Sequence, residues 1–206
     1  MEYRYCNDNL GIFEGFYESG LYNSDTEYDF NHNREEGEPE YELLDFASFK
    51  QAVGQAAKDL LRPMLERDGF IKNVTFAGIS SPTCYNFTTD SLLIDMDADF
   101  DALKAWVLET EERREGFGEY LKRNYTSRDG FMSFVENTVE GFFENSYGSY
   151  QDVLIDYYLL VAILDTEYVT DENWTESSYR YDLVEAADGL LWEFMVPVDE
   201  TDSVTA

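Results

Sequence analysis

The longest regular hydrophobic pattern runs over 44–67, where Phe46, Phe49, Val53, Ala56, Ala57, Leu60, Leu61, Met64 and Leu65 recur at steps of three and four. That period predicts an amphipathic helix. Asp45 is placed to cap its start, Pro63 is expected to kink it or end it early, and Asp68-Gly69 turns the chain out of it. The period then shortens. Residues 70–79, with Ile71, Val74, Phe76 and Ile79, read as a strand. In 91–97, Leu92, Ile94 and Met96 fall on one face, and Ser91, Leu93, Asp95 and Asp97 on the other. This alternation predicts a second strand, antiparallel to the first, with one buried face and one largely acidic face. Ser81-Pro82 sets a turn between them, and 85–90 reads as a loop that pins the pair together.

Beyond residue 98 the period is helical again. Phe100, Leu103, Ala105, Trp106, Val107 and Leu108 predict a helix over 99–112, and Phe117, Tyr120 and Leu121 a second, short one. Phe131, Phe134, Val135, Val139, Phe142 and Phe143 predict another. A further helix opens at Ser149 or Tyr150 and runs to Leu164 with almost no polar face. A helix apolar all round is buried in a domain or lies in an oligomer interface, which leaves a homodimer open. From 168 to 181 acidic and aromatic residues alternate, and Leu183, Val184, Leu190, Leu191, Trp192 and Phe194 predict a closing helix or strand. Residues 199–206 are expected to fray. At the front, short aromatic runs are broken by Gly11, Gly15 and Gly20, and 12–22 reads as a strand or hairpin. The fold class is α+β: a single domain over 1–206, with a small antiparallel sheet packed with several helices and a C-terminal half that is mostly helical.

Charge changes this otherwise ordinary picture. The chain has 206 residues, 44 of them Asp or Glu and 14 Lys or Arg, for a net charge of −30. Such a charge opposes compaction by self-repulsion, so something other than folding must account for it. Life in high salt is one account and a strongly basic partner is another. The 16 Tyr and 15 Phe speak against the first, since a salt-adapted chain is expected to trim large apolar residues. Duplex DNA carries one charge per ~1.7 Å, so this charge matches roughly 50 Å of duplex. A compact chain of this length has a radius of gyration of about 17 Å. Its charge per unit length is therefore similar to that of DNA, and unaided binding to DNA, RNA or an anionic membrane is not expected.

The acids concentrate in two places. Over 25–45 nine of them face only Arg34, and the centre of that segment, with Gly37 and Pro39, has no large apolar residue. It reads as an exposed loop at about 25–42, either a solvated linker or a mobile arm for a basic groove. Glu35, Glu36, Glu38, Glu40 and Glu42 are its candidate partner contacts. Asp95, Asp97, Asp99 and Asp101 form a candidate second edge, with Glu109, Glu111 and Glu112 on the helix that follows.

Enzyme chemistry is not expected. His32 is the only histidine and lies in the acidic loop, where nothing fixes it beside a nucleophile. There is no glycine-rich phosphate loop, no HExxH and no CxxC. Asp95, Asp97 and Asp99 are spaced like the start of a calcium loop but lack its glycine and distal glutamate in register. No cofactor is implied. Cys6 and Cys84 read as two buried thiols, with a single bridge as the alternative. Residues 1–5 have neither the basic nor the apolar region of a secretory signal, and the apolar run 153–164 is too short to span a bilayer, so a cytoplasmic location is expected.

Two stretches carry a resemblance. SPTCYNFTTD at 81–90 and YLKRNYTSRDGFMSF at 120–134, as the patterns SPxxYNFxTD and YLxxxYTSxDGFxSF, resemble small acidic proteins of phages and conjugative elements, similar in character to antirestriction and anti-CRISPR proteins. The resemblance implies a non-enzymatic inhibitor in the host cytoplasm that mimics nucleic acid and blocks the basic groove of a host defence protein. It carries over no catalytic residue. The alternative is a phage or mobile-element accessory enzyme or metal-binding module with a pocket between 85–90 and 125–129, drawing on Tyr85, Asn86, Asp90, Tyr125 and Asp129.

Overall fold

The structure, a computed structural model, describes residues 1–7, 31–32, 34–43, 45–80, 90–125, 138–145, 150–164 and 178–198. The expected hairpin over 12–22, the loop 85–89, Cys84 and the expected frayed tail lie outside them. Helix α1 (Phe46–Leu65) starts where Asp45 caps it, the Ser48 amide donating to Asp45 Oδ1 at 3.0 Å. The Ser48 hydroxyl adds a second bond, and together they hold the Asp45 carboxyl below its ordinary range. Pro63 does not end the helix early, because it lies inside α1 only two residues before the end. At that position its missing amide forfeits one bond of a turn that is about to stop.

Strands β3 (Ile71–Ile79) and β4 (Leu92–Ala98) pair antiparallel, as their alternation predicts, and β1 (Glu2–Asn7) completes a sheet of order β1-β4-β3. Central β4 buries Leu92, Ile94 and Met96, half-buries Leu93 and Asp95, and exposes Asp97. Strand β3 shifts register between Lys72 and Thr75. There Asn73 takes a φ of 56°, which a short polar side chain tolerates, and donates to Asp97 at 2.9 Å. The Val74 amide donates to Glu66 Oε1 at 3.0 Å and is the main cause of the depressed Glu66 carboxyl pKa. Helix α1 packs on β3 through Gly54, where a Cβ would meet the Phe76 ring at 2.8 Å.

Helices α2 (Phe100–Glu109), α3 (Glu111–Tyr125), α4 (Val139–Asn145), α5 (Tyr150–Leu164) and α6 (Ser178–Phe194) follow. The helix expected over 99–112 breaks at Thr110, whose backbone is extended at φ −121° and ψ 152°. Its Oγ1 accepts from the Arg113 amide at 3.2 Å, so the hydroxyl caps α3 instead of continuing α2. A two-stranded sheet of β2 (Tyr41–Leu43) and β5 (Met195–Pro197), absent from the sequence expectations, joins the acidic segment to the end of α6. No helix among the described residues is long and apolar enough to cross a membrane.

Helix α5 buries Val153, Leu154, Ile155, Tyr157, Tyr158 and Leu159, and Asp156 among them. Asp152 and Asp156 are one helical turn apart, and Tyr3 and Tyr5 are alternate residues of β1. Four helical residues rise about 6 Å and two strand residues about 6.7 Å, so the two pairs match. The Tyr3 hydroxyl donates to Asp152 at 2.8 Å and the Tyr5 hydroxyl to Asp156 at 2.5 Å. Burial first, and then Asp152, pushes the Tyr3 pKa far above the ordinary tyrosine range. On another side of α5 the Tyr158 hydroxyl donates to Asp68 Oδ2 at 2.8 Å and accepts from the Asp68 amide at 3.2 Å.

Burial, and after it the hydrogen bond to Asp68, pushes the Tyr158 hydroxyl up to about 12. The folded state therefore holds that proton where the unfolded chain, with tyrosine near about 10, releases it. Stability carried by Tyr158 is complete below about pH 10 and lost as pH rises toward about 12. Urea titrations across this window should show the unfolding midpoint falling, and Tyr158→Phe should make that fall shallower.

Candidate functional site

The acids of the first candidate group are held by an ordered turn. The Glu38 amide donates to the Glu35 carbonyl at 3.1 Å, and Gly37 takes the positive φ of 95° that the turn requires. The Glu35 amide donates to Glu38 Oε2 at 3.0 Å. Arg34 spans the turn, donating to the Glu38 carbonyl at 2.8 Å and to Glu40 at 3.4 Å. At its base Asn31 clamps Tyr41 from both sides, its Nδ2 donating to the Tyr41 carbonyl at 2.8 Å and its Oδ1 accepting from the Tyr41 amide at 2.7 Å. The Val198 amide donates to the Glu40 carbonyl at 2.7 Å.

Glu35, Glu36, Glu38 and Glu40 are all exposed on this turn, against the single guanidinium of Arg34. Glu42 is exposed on β2, so 41–42 belongs to a strand and not to the end of a loop. The expected loop from 25 to 30 lies outside the described residues. His32 is exposed beside the clamp residue Asn31.

The second group is divided among three settings. Asp95 is paired bidentately with Arg4 at 2.8 and 3.0 Å, which holds its carboxyl below the ordinary range. Asp97 accepts from Asn73 and stands opposite both Glu2 and Lys72 in the ladders. This sheet face thus sets Glu2, Asp95 and Asp97 against Arg4 and Lys72 and is close to balanced. Asp99 caps α2 by accepting from the Ala102 amide at 3.0 Å, and Asp101 is exposed in the first turn. Glu109 is held by Arg113 at 2.5 Å, while Glu111 and Glu112 are exposed at the start of α3. Asp95, Asp97 and Asp99 thus have separate partners, and among the described residues no three His, Cys, Asp or Glu side chains are grouped to hold a metal.

Both motifs that carry the resemblance fall mostly on 81–89 and 126–137, outside the described residues. Asp90 is an exception. Its side chain is buried with that of Lys50 from α1, and the two form an ion pair. Sequence reasoning passed over Lys50, although it lies on the buried stripe between Phe46 and Val53 at steps of four and three. A lysine at such a position is itself a signal of a buried carboxylate partner.

Removing one member of a buried pair leaves the other charge uncompensated, so Lys50→Met should cost about 3–5 kcal/mol. The double variant Lys50→Met with Asp90→Leu should recover most of that loss, since an apolar replacement of the whole pair is often neutral. Urea unfolding of the parent, both single variants and the double variant checks this. Compared with known proteins, the chain matches no protein-family model, no curated protein and no solved structure.

Proposed function

We propose that this chain is a non-enzymatic acidic inhibitor that imitates nucleic acid and occupies the basic DNA- or RNA-binding groove of a host defence protein, of the antirestriction or anti-CRISPR type. The observation that carries the reading is the turn over 34–40, where four exposed carboxylates stand in a backbone fixed by its own hydrogen bonds and by the Asn31 clamp. Carboxylates presented from a fixed backbone engage a basic groove without first losing the backbone freedom of a flexible arm. Glu111, Glu112 and Asp101 add exposed carboxylates elsewhere on the molecule, while Asp95 and Asp97 contribute less because Arg4 and Lys72 offset them. The net charge of −30 supplies the long-range attraction that brings a cationic partner in.

Affinity built on replacing phosphates falls with ionic strength. Pull-down from host extract should recover a DNA- or RNA-binding protein at low salt and release it at high salt, and recovery of none at low salt would overturn the proposal. Reversing Glu35, Glu36 and Glu38 together to Lys should weaken the complex by about tenfold or more, tenfold being about 1.4 kcal/mol. The same variant should keep the parent's melting temperature or exceed it, because the turn is exposed and relief of repulsion favours the compact state. Binding as tight as the parent's at low salt would remove the turn from the interface.

A further inference from the structure

A cleft of about 850 Å³ opens where the segment after α1 meets the α2–α3 junction and α5. That volume is in the range of small-molecule sites, about 300–1,000 Å³. Phe70, Trp106 and Tyr157 form its walls, and Arg67 and Arg113 stand at its rim with Asp68 and Glu112. The two arginines are pre-oriented by aromatic rings. The guanidinium carbon of Arg113 lies 4.9 Å from the Trp106 ring centroid, and that of Arg67 lies 5.7 Å from the Tyr158 centroid. Both side chains are about one-third exposed, at 34%. Arg113 uses one nitrogen, Nη1, for Glu109 and the Trp106 carbonyl. Its Nε and Nη2 bond to no described residue, so a donating edge of a stacked guanidinium remains open.

In a chain with only 14 Lys and Arg, this cleft holds two ring-stacked guanidiniums that balance Asp68 and Glu112 in its lining, where most of the surface is acidic. We propose that this cleft binds an aromatic oxyanion, a flat ring bearing one carboxylate or phosphate. The ring packs against Phe70 and Tyr157, which line the cleft, and the oxyanion takes the open edge of Arg113 with Arg67 beside it. A cation fits less well. The faces of Trp106 and Tyr158 already carry guanidiniums, and Asp68 Oδ2 already accepts from Tyr158 and Arg67. The site is independent of the proposed mimicry, since it recognises the opposite charge through residues outside the acidic turn.

Calorimetric titration of the full chain with indole-3-acetate, phenyl phosphate, tryptamine and indole tests this. At least one of the two anions should bind, and which of them binds names the oxyanion. Tryptamine and indole, which lack it, should bind about tenfold more weakly or worse. Arg113→Gln should weaken the anion by about tenfold, and Arg113→Lys, which keeps the charge but loses the fork, by less. Should Arg113→Gln fail to fold, Arg67→Gln carries the same expectation. The Glu35, Glu36 and Glu38 reversal should leave anion binding unchanged, so this test and that of the acidic turn fail separately. Tryptamine binding as tightly as the anions, anion binding unaffected by both arginine variants, or no anion heat at millimolar concentration would overturn the proposal.

Discussion

A carboxylate removed from water needs a donor, and in this chain cations are scarce. Asp156 is fully buried on α5, and the phenol of Tyr5 donates to it. Tyr3 donates likewise to half-buried Asp152, and Tyr158 to Asp68, which is exposed and also paired with Arg67. A phenol offers a hydrogen bond without adding charge, and its ring adds apolar burial to the same contact. These contacts fix α5 against the edge strand β1 on one side and against the turn beyond α1 on another. The phenols of Tyr3, Tyr5 and Tyr158 thus help orient the buried helix α5, while the buried carboxylate of Asp90 is paired with Lys50.

The acids consequently divide into two populations with different physics. Asp45 and Asp99 cap helices, Glu66 takes an amide that β3 leaves to it, and Asp68, Asp90, Asp152 and Asp156 accept buried or half-buried bonds. Their charges are committed to the fold. Those of the turn over 34–40 face solvent, and the backbone that positions them has its own hydrogen bonds. A count of acidic residues overstates what a partner meets, and the sheet face of β4 illustrates this, with Arg4 and Lys72 set among its carboxylates.

Much of the fold was legible where the pattern is local. The alternation of Leu92, Ile94 and Met96, the Asp45 cap and the apolar run from Val153 were each readable within a few residues, because burial on one face leaves a period in the sequence. Strand β1 was not, since its tyrosines carry their meaning only through Asp152 and Asp156 far along the chain. Strands β2 and β5 are three residues each, too short for any period, and exist only as a pair. The break at Thr110 turned on a hydroxyl choosing to cap, which apolar spacing does not register. For the site, the exposure of Glu35, Glu36 and Glu38 followed from the lack of apolar neighbours. The neutralisation of Asp95 did not, because Arg4 reaches it from another strand. The aromatic cleft drew no attention because Arg67, Trp106 and Arg113 share no motif and meet only through packing.

The pairing of β2 with β5 has a consequence for synthesis. The acidic turn belongs to the first quarter of the chain, yet the strand at its base has its partner just beyond α6. Contacts between such distant segments form late, after the loop between them has been closed by the rest of the core. A nascent or C-terminally clipped chain thus carries the same turn residues without the strand that anchors them. Charge is present from the moment the segment emerges from the ribosome, and the local bonds of the turn can form early, but the strand at its base gains its partner only once the segment after α6 docks, so part of the support of the turn arrives long after its charge.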